Sequence, residues 1–312
     1  MQALLDVILP VFFVLGFGYV AAWFKWISEN AIDGLMSFVT NFAVPVLLFR
    51  SISRLDISAN LDPGLLISFY AGALGAYIVA YFAARLVFSR NRTDAVAIGF
   101  TAMFSNTLLL GLPITERAFG TDALAGNYVI IAFHSPLIYA FGITVMELTR
   151  GHGTGQSTAG LVRMILRGVV RNPLVIAIAA GFVVNLLHIP QPQPFQAAVT
   201  MLAGATIPTA LFGLGGTLLR YRPEGDLKTI AMVCAVSLLV HPAITYLLGA
   251  FVFNLDTPKM RSAVLTAAMA PGVNAYLFAN MYSAARRVSA SSVLLATAAT
   301  VVTAWAWLQI LP

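Results

Sequence analysis

Apolar runs of helical length recur along nearly the whole chain, each closed by a short polar stretch. About 20 consecutive apolar residues cross the hydrocarbon core of a bilayer. The runs predict spans at 4–23, 31–49, 65–88, 95–115, 123–148, 173–188, 195–219, 229–253, 260–282 and 289–310. The fold class read from this pattern is an all-α polytopic membrane protein with ten transmembrane helices. Two of the runs interrupt themselves. The fourth carries Ser105, Asn106 and Thr107, then Gly111 and Pro113; the ninth carries Pro271, Gly272 and Asn274. A helix facing lipid has no partner for backbone groups freed by such breaks. Interrupted segments at corresponding places in two halves point to a transport site.

Composition agrees with the pattern. Of 312 residues, 59% are hydrophobic and 10% charged, and mean hydropathy is +0.86. Soluble domains carry about 25% charged residues. Ten spans leave no room for a separate soluble domain. The one cysteine, Cys234, excludes a disulfide framework and a cysteine-based metal site. The basic pI of 9.7 does not mark a nucleic-acid binder, because the basic residues are scattered among interhelical loops. The first run has no Lys or Arg before it and no small-residue cleavage site after it. It reads as a retained helix rather than a signal peptide.

Loop charges set the orientation. One side carries 13 basic residues: Lys25, Arg85, Arg90, Arg92, Arg150, Arg163, Arg167, Arg171, Arg220, Arg222, Lys228, Arg286 and Arg287. The other carries 5: Arg50, Arg54, Arg117, Lys259 and Arg261. The excess places both termini outside and the 149–172 linker in the cytoplasm. Within that linker Arg163, Arg167 and Arg171 recur every fourth residue among apolar positions. The stretch reads either as a basic amphipathic segment for an anionic membrane surface or as a solvated lead-in to the sixth span.

A repeat underlies the spans. An offset of 163 matches Pro10 to Pro173, Gly18 to Gly181, Pro45 to Pro208, Leu48 to Leu211 and Phe49 to Phe212. An offset of 168 matches Ala95-Val96 to Ala263-Val264 and Asn106 to Asn274. A half with an odd number of helices inserts opposite to its successor. The chain thus divides into a first five-helix repeat at 1–148, a linker at 149–172 and a second, inverted repeat at 173–312, with helices 4 and 9 as broken equivalents.

If the two breaks meet near the midplane, free amides at the half-helix ends carry roughly half a positive charge each. Ser105, Asn106, Thr107 and Asn274 add donors, and Tyr276 and Phe278 an apolar wall. Such a site holds a carboxylate without a buried Lys or Arg. Asn41, four residues before Pro45, is a further candidate for the cavity, whereas Pro10 and Pro173 read as helix-start residues. Proline kinks in membrane helices are often only structural, and a lone Asn often only ties two helices, for about 0.6 kcal/mol. Break and Asn together, in both halves, favour the site. His134 and His241 are the deep ionisable groups. Each is either a proton relay or a hydrogen-bonded packing residue. Neither a nucleotide-binding loop, a His-Glu-x-x-His motif nor an intramembrane aspartate pair is present, so no catalytic residue, metal or cofactor is expected. Gly213-Leu-Gly-Gly216 reads as close helix packing.

These motifs resemble the auxin efflux carrier family, which joins plant PIN carriers to bacterial permeases for malonate, malate and similar acids. The stretches concerned are Asn41–Ser53, Asn106–Ile114 with Gly120 beyond, and Ala267–Tyr282. The resemblance implies a scaffold domain (helices 1, 2, 6 and 7), a transport domain (3–5 and 8–10) whose broken helices cross at the substrate, elevator-type movement and a homodimer through the scaffold. The crossover residues carry over to Asn106, Pro113 and Pro271–Asn274. Ala275 stands where plant carriers typically have a second proline, and their large cytoplasmic loop has no counterpart here, as in a compact permease of a bacterial inner membrane. The expected function is secondary transport or uniport of small organic anions. The alternatives are a sodium symporter of the bile-acid type, which asks for a carboxylate or polar cluster behind the crossover, and a non-transporting receptor, which asks for a signalling domain.

Overall fold

A computed structural model describes residues 4–55, 62–150 and 170–312, and no strand occurs among them. The helices are α1 (Leu9–Trp23), α2 (Glu29–Ser53), α3 (Pro63–Leu86), α4 (Arg92–Met103), α5 (Leu112–Phe119), α6 (Ala125–Arg150), α7 (Pro173–Leu186), α8 (Gln193–Leu218), α9 (Leu227–Phe251), α10 (Thr257–Ala267), α11 (Val273–Met281) and α12 (Arg286–Ile310). Seven are long and apolar enough to cross a membrane: α2, α3, α6, α8, α9, α12, and α1 extended back to Asp6. The runs at 95–115 and 260–282 are each split, into α4 and α5 and into α10 and α11. The linker positions Arg163 and Arg167 lie outside the described residues, and Arg171 is exposed at the turn before α7.

Polar residues at the ends of the apolar runs start the helices. Ser28, Asp62, Asn91, Asn172, Asp226 and Asp256 each accept a backbone N–H of the first turn, at 2.7–3.2 Å. Prolines act otherwise. Four π turns, Leu4–Ile8, Val39–Ala43, Thr107–Gly111 and Val236–Val240, each end two residues before a proline: Pro10, Pro45, Pro113 and Pro242. A proline ring clashes with the carbonyl four residues back and offers it no N–H, and a locally widened turn relieves both faults. The carbonyl of Leu238, which Pro242 leaves bare, accepts the indole N–H of Trp307 at 3.0 Å. Pro173 does begin α7, but Pro10 follows a π turn inside a continuous helix and is not a helix start.

The chain forms two compact units. One holds the described residues of Phe12–Leu61 and Thr154–Leu219, hence nearly all of α1 and the whole of α2, α7 and α8. Its helices meet at glycines. A Cβ on Gly18 would overlap the carbonyl of Phe212, and one on Gly181 would press on Ile52 and the carbonyl of Phe49. Gly18 and Gly181, and Phe49 and Phe212, are the pairs matched by the 163-residue offset, so the two contacts are reciprocal. Gly213, Gly215 and Gly216 of α8 likewise meet Met36, Leu15 and Ile32, the close packing expected of that stretch.

The other unit holds the described residues of Met1–Val11, Asp62–Gly153 and Arg220–Pro312, hence α3–α6 and α9–α12. Its aromatic core centres on Phe100 and Phe278, stacked at 3.8 Å and 13°. Helix α3 runs against α9, where Gly72 leaves room for His241 and Thr245. Ion pairs fasten the helix ends: Arg90 to Asp226 at 3.0 Å, and Lys259 to both Asp62 and Asp256 at 3.0 Å each.

Candidate functional site

The breaks in the fourth and ninth runs meet each other inside this second unit. Phe104 leaves the helix after α4 (φ −89°, ψ 79°), and the chain from Ala268 to Gly272 is non-helical between α10 and α11. The two extended pieces pair as an antiparallel bridge between Ser105 and Pro271. Asn106 N–H donates to the Ala270 carbonyl at 2.8 Å, and Gly272 N–H to the Phe104 carbonyl at 2.9 Å. Ser105 and Pro271 therefore face each other as the pair that exchanges no hydrogen bond, a place where proline's missing N–H costs nothing.

Asn106 restarts the helix. Its Oδ1 accepts Leu109 N–H at 3.1 Å, and its carbonyl accepts Gly111 N–H at 3.0 Å across the π turn. The break thus lies at Phe104–Asn106, seven and more residues before Pro113, which sits at the start of α5 beyond the π turn. The expectation that Pro113 and Gly111 make the break is corrected accordingly. A Cβ on Gly111 or Gly272 would meet only ordinary contacts, at 3.5 Å or more. In the other crossing Pro271-Gly272 does stand at the break.

Asn106 and Asn274 take different places at the crossing. The bridge's two hydrogen bonds join Asn106 to Ala270 and Phe104 to Gly272. Asn274 lies two residues further on, in the first turn of α11, half-buried, with no side-chain partner among the described residues. Its carbonyl accepts the hydroxyl of Tyr139 at 3.2 Å. Neither Val273 N–H nor Asn274 N–H has an acceptor among the described residues. Ala275 N–H donates to the Gly272 carbonyl at 2.9 Å, a turn that a proline at this position would lose. Ser105, Asn106 and Thr107 are buried, and the Ser105 hydroxyl has no partner among the described residues.

The remaining candidates divide. Tyr276 is half-buried and packs on Tyr221 at 5.0 Å, so it can wall a site at the start of α11. Phe278 cannot, since it is fully buried on Phe100. Asn41 belongs to the other unit, is exposed, and donates to Ser37 Oγ at 3.1 Å, so the structure does not bring it to the crossover within one unit. His134, on α6, packs edge-on to Phe104 at 4.7 Å and is fully buried. His241, on α9, is also fully buried, its Nε2 3.4 Å from the Phe69 carbonyl.

Two contributors carried no signal in the chain. Tyr139 packs its ring on Phe104 at 5.7 Å besides bonding Asn274. Asn127 of α6 donates to Thr115 Oγ at 3.1 Å and Thr266 Oγ at 2.8 Å, tying one helix to a half-helix from each crossing. All three are buried and ordinary in composition, and only the fold shows that they converge.

A paired break of this kind, with uncapped amides beside an unpartnered amide side chain, suits a solute carrier, and comparison with known proteins agrees. The family model described as "Membrane transport protein" matches residues 3–308. The chain belongs to this membrane transport protein family. Its members are carriers and not enzymes, and they include the auxin efflux carriers that the motifs resemble. Within the family, the chain is 24% identical over 305 residues to a Rhizobium meliloti protein named "Putative malonate transporter", covering 97% of this chain and 94% of that one. It is 22% identical over 308 residues to "Uncharacterized transporter YfdV" of Escherichia coli K12, covering 97% and 96%. It is 21% identical over 330 residues to "Auxin efflux carrier component 8" of Arabidopsis thaliana, covering 88% of each. This membrane transport protein family member is thus an integral membrane protein with a small-molecule substrate.

Proposed function

We propose that the chain is a secondary transporter or uniporter of small organic anions, with the substrate carboxylate bound at the crossover. The observation that carries this is the start of α11. Val273 N–H, Asn274 N–H and the Asn274 side chain are donors without acceptors among the described residues, on a half-buried helix N-terminus that favours negative charge. Asn106 holds the opposite half-helix in place, and Ser105, Thr107, Gly111, Pro113, Pro271 and Gly272 shape the crossing. Tyr276 supplies an apolar wall. The relatives' printed names, malonate and auxin carriers, give carboxylates as the substrate class.

The finer architecture belongs to the same proposal: ten membrane segments in two inverted repeats. Reciprocal contacts at Gly18 and Gly181 support it, as do left-handed residues closing equivalent helices, Lys25 and His188 at offset 163. The unit carrying the crossover contains the segments assigned above to a transport domain, and it is the moving part of an elevator. The other unit is the scaffold and forms a homodimer in a bacterial inner membrane, with both termini outside. The alternative is a sodium symporter of the bile-acid type, and the buried polar cluster that Asn127 forms with Thr115 and Thr266, its own Oδ1 unpartnered among the described residues, is the feature that supports this second reading.

The test is uptake of radiolabelled malonate, with indole-3-acetate in parallel, into proteoliposomes. The wild type is expected to accumulate at least one of them, and Asn274→Ala to lose uptake while remaining monodisperse. Wild-type rates for Asn274→Ala would remove the crossover as the site.

A further inference from the structure

A histidine packed on the crossover has no hydrogen bond of good geometry among the described residues. His134 is 1% exposed, and neither ring nitrogen has a hydrogen-bond partner among the described residues. Phe104 and Phe69 lie edge-on to it at 4.7 and 5.6 Å, Tyr70 stacks on it at 6.3 Å, and the Ser105 backbone is its nearest polar group, a weak hydrogen-bond contact at best. Leaving a buried donor or acceptor unpaired is unfavourable, since its bonds to water are lost and not replaced. A phenylalanine would fill the same aromatic cage without that cost. Ser105 Oγ, at the break itself, is buried and unpaired as well. Two polar groups are therefore left unsaturated at the one point where the half-helices cross.

The groups facing the imidazole restrict what it can do. From α3 come Phe69 and Tyr70, whose hydroxyl is already spent on the Ile130 carbonyl at 2.8 Å. From α9 comes His241, which packs on the same Phe69 ring at 5.1 Å. The crossing itself contributes Phe104 and Ser105. The other ionisable side chain at this cage is His241, across the Phe69 ring, and the ring contacts of His134 include no carboxylate or cation among the described residues. An imidazolium here has no counter-charge of its own in the protein, and a lone buried charge is expensive. A carboxylate arriving at the crossover supplies that counter-charge.

We propose that His134 is the proton site of the carrier. One ring nitrogen takes a proton from water when the anion enters the crossover, and returns it when the anion leaves. The anion and the proton then travel together, and the charge moved per cycle falls by one. The inference rests on the crossover being the anion site.

The experiment measures malonate and benzoate affinity by thermal shift on purified wild type, His134→Gln and His241→Gln from pH 5.5 to 8. A pH-indicator dye in weak buffer records proton uptake by the wild type on binding at pH 7.5. One-proton linkage predicts that wild-type affinity weakens about tenfold per pH unit on the alkaline limb. His134→Gln is expected to bind with a flat profile, apart from the titration of malonate itself, which all three proteins share. His241→Gln is expected to keep the slope. A slope retained in His134→Gln overturns the proposal, as does wild-type binding without proton uptake, which decides the matter even if His134→Gln does not fold. Absence of wild-type binding to either acid at every pH is a separate result. It overturns the anion reading, and the proton site with it.

Discussion

Asn106 and Asn274 look alike in the sequence, and the structure makes them different instruments. Asn106 is a helix cap whose Oδ1 holds Leu109 N–H, while the Asn274 side chain holds nothing among the described residues. Their substitution should therefore separate stability from transport. Asn106→Ala is expected to lose about 1 kcal/mol through the missing cap and to abolish malonate uptake. Asn274→Ala is expected to abolish uptake with an unchanged melting temperature. Differential scanning fluorimetry beside proteoliposome uptake checks both, and equal melting losses would contradict the assignment. The polar residues of the site were legible because an amide in an apolar run stands out. Their roles were not, because the break that leaves Asn106 free to cap the next helix is held by a bridge between backbones 160 and more residues apart, as in Asn106 N–H to Ala270. His134 carried even less signal, since nothing along the chain places it against Phe104.

At the scale of elements the chain was most readable where polar caps end apolar runs, as at Asn91 and Asp256. Prolines misled: Pro113 marked a π turn next to the break rather than the break. Helix contacts were foreshadowed by the repeat, and they can be tested by glycine. Gly18→Ala drives a methyl into the Phe212 backbone carbonyl, which cannot swing aside as a side chain does. A loss at the upper end of the about 1–3 kcal/mol typical of overpacking is expected. Gly16→Ala, with nothing within 4 Å, is expected to be neutral or to gain up to about 1 kcal/mol from helix propensity. Thermal unfolding of the two variants measures the contrast.

The clamp at the start of α3 and α10 is an element-scale device with its own pH window. Burial pulls the Asp62 carboxyl upward, but bonds from Lys259 and the Gly64 N–H outweigh it, leaving it below its ordinary value of 3.8. Bonds to Asp256 and Asp62 raise Lys259 above 10.5. A depressed carboxyl stabilises above its unfolded value and loses that contribution as pH falls through the folded one. A raised ammonium stabilises below its unfolded value and loses that contribution as pH rises through the folded one. The clamp is thus intact from about pH 4 to about pH 10, contributing at most about 1 kcal/mol for so exposed a pair. Lys259→Met is expected to flatten the acid limb of the melting curve below pH 4. An unchanged acid limb would mean that other carboxyls dominate it.

For the whole molecule, the proposed orientation comes from loop charges and not from helix packing. The proposed orientation rests on the excess of 13 basic residues over 5 on alternate connections of the sequence. Inverted repeats then require that equivalent loops face opposite sides. Lys25 and His188 share a left-handed backbone, φ 59° and 50°, and on the proposed topology they close equivalent helices with Lys25 inside and His188 outside. The prediction is tested with Cys234→Ser as background and single cysteines at exposed loop positions. Thr121→Cys is expected to react with an impermeant maleimide in intact cells, and Arg222→Cys only after permeabilisation. Reaction of both from outside would break the alternation, and with it the pairing of the fourth and ninth segments as inverted equivalents. Labelling on opposite sides would leave the crossover as the meeting of two oppositely inserted half-helices, the arrangement in which two positive helix ends can converge on one carboxylate.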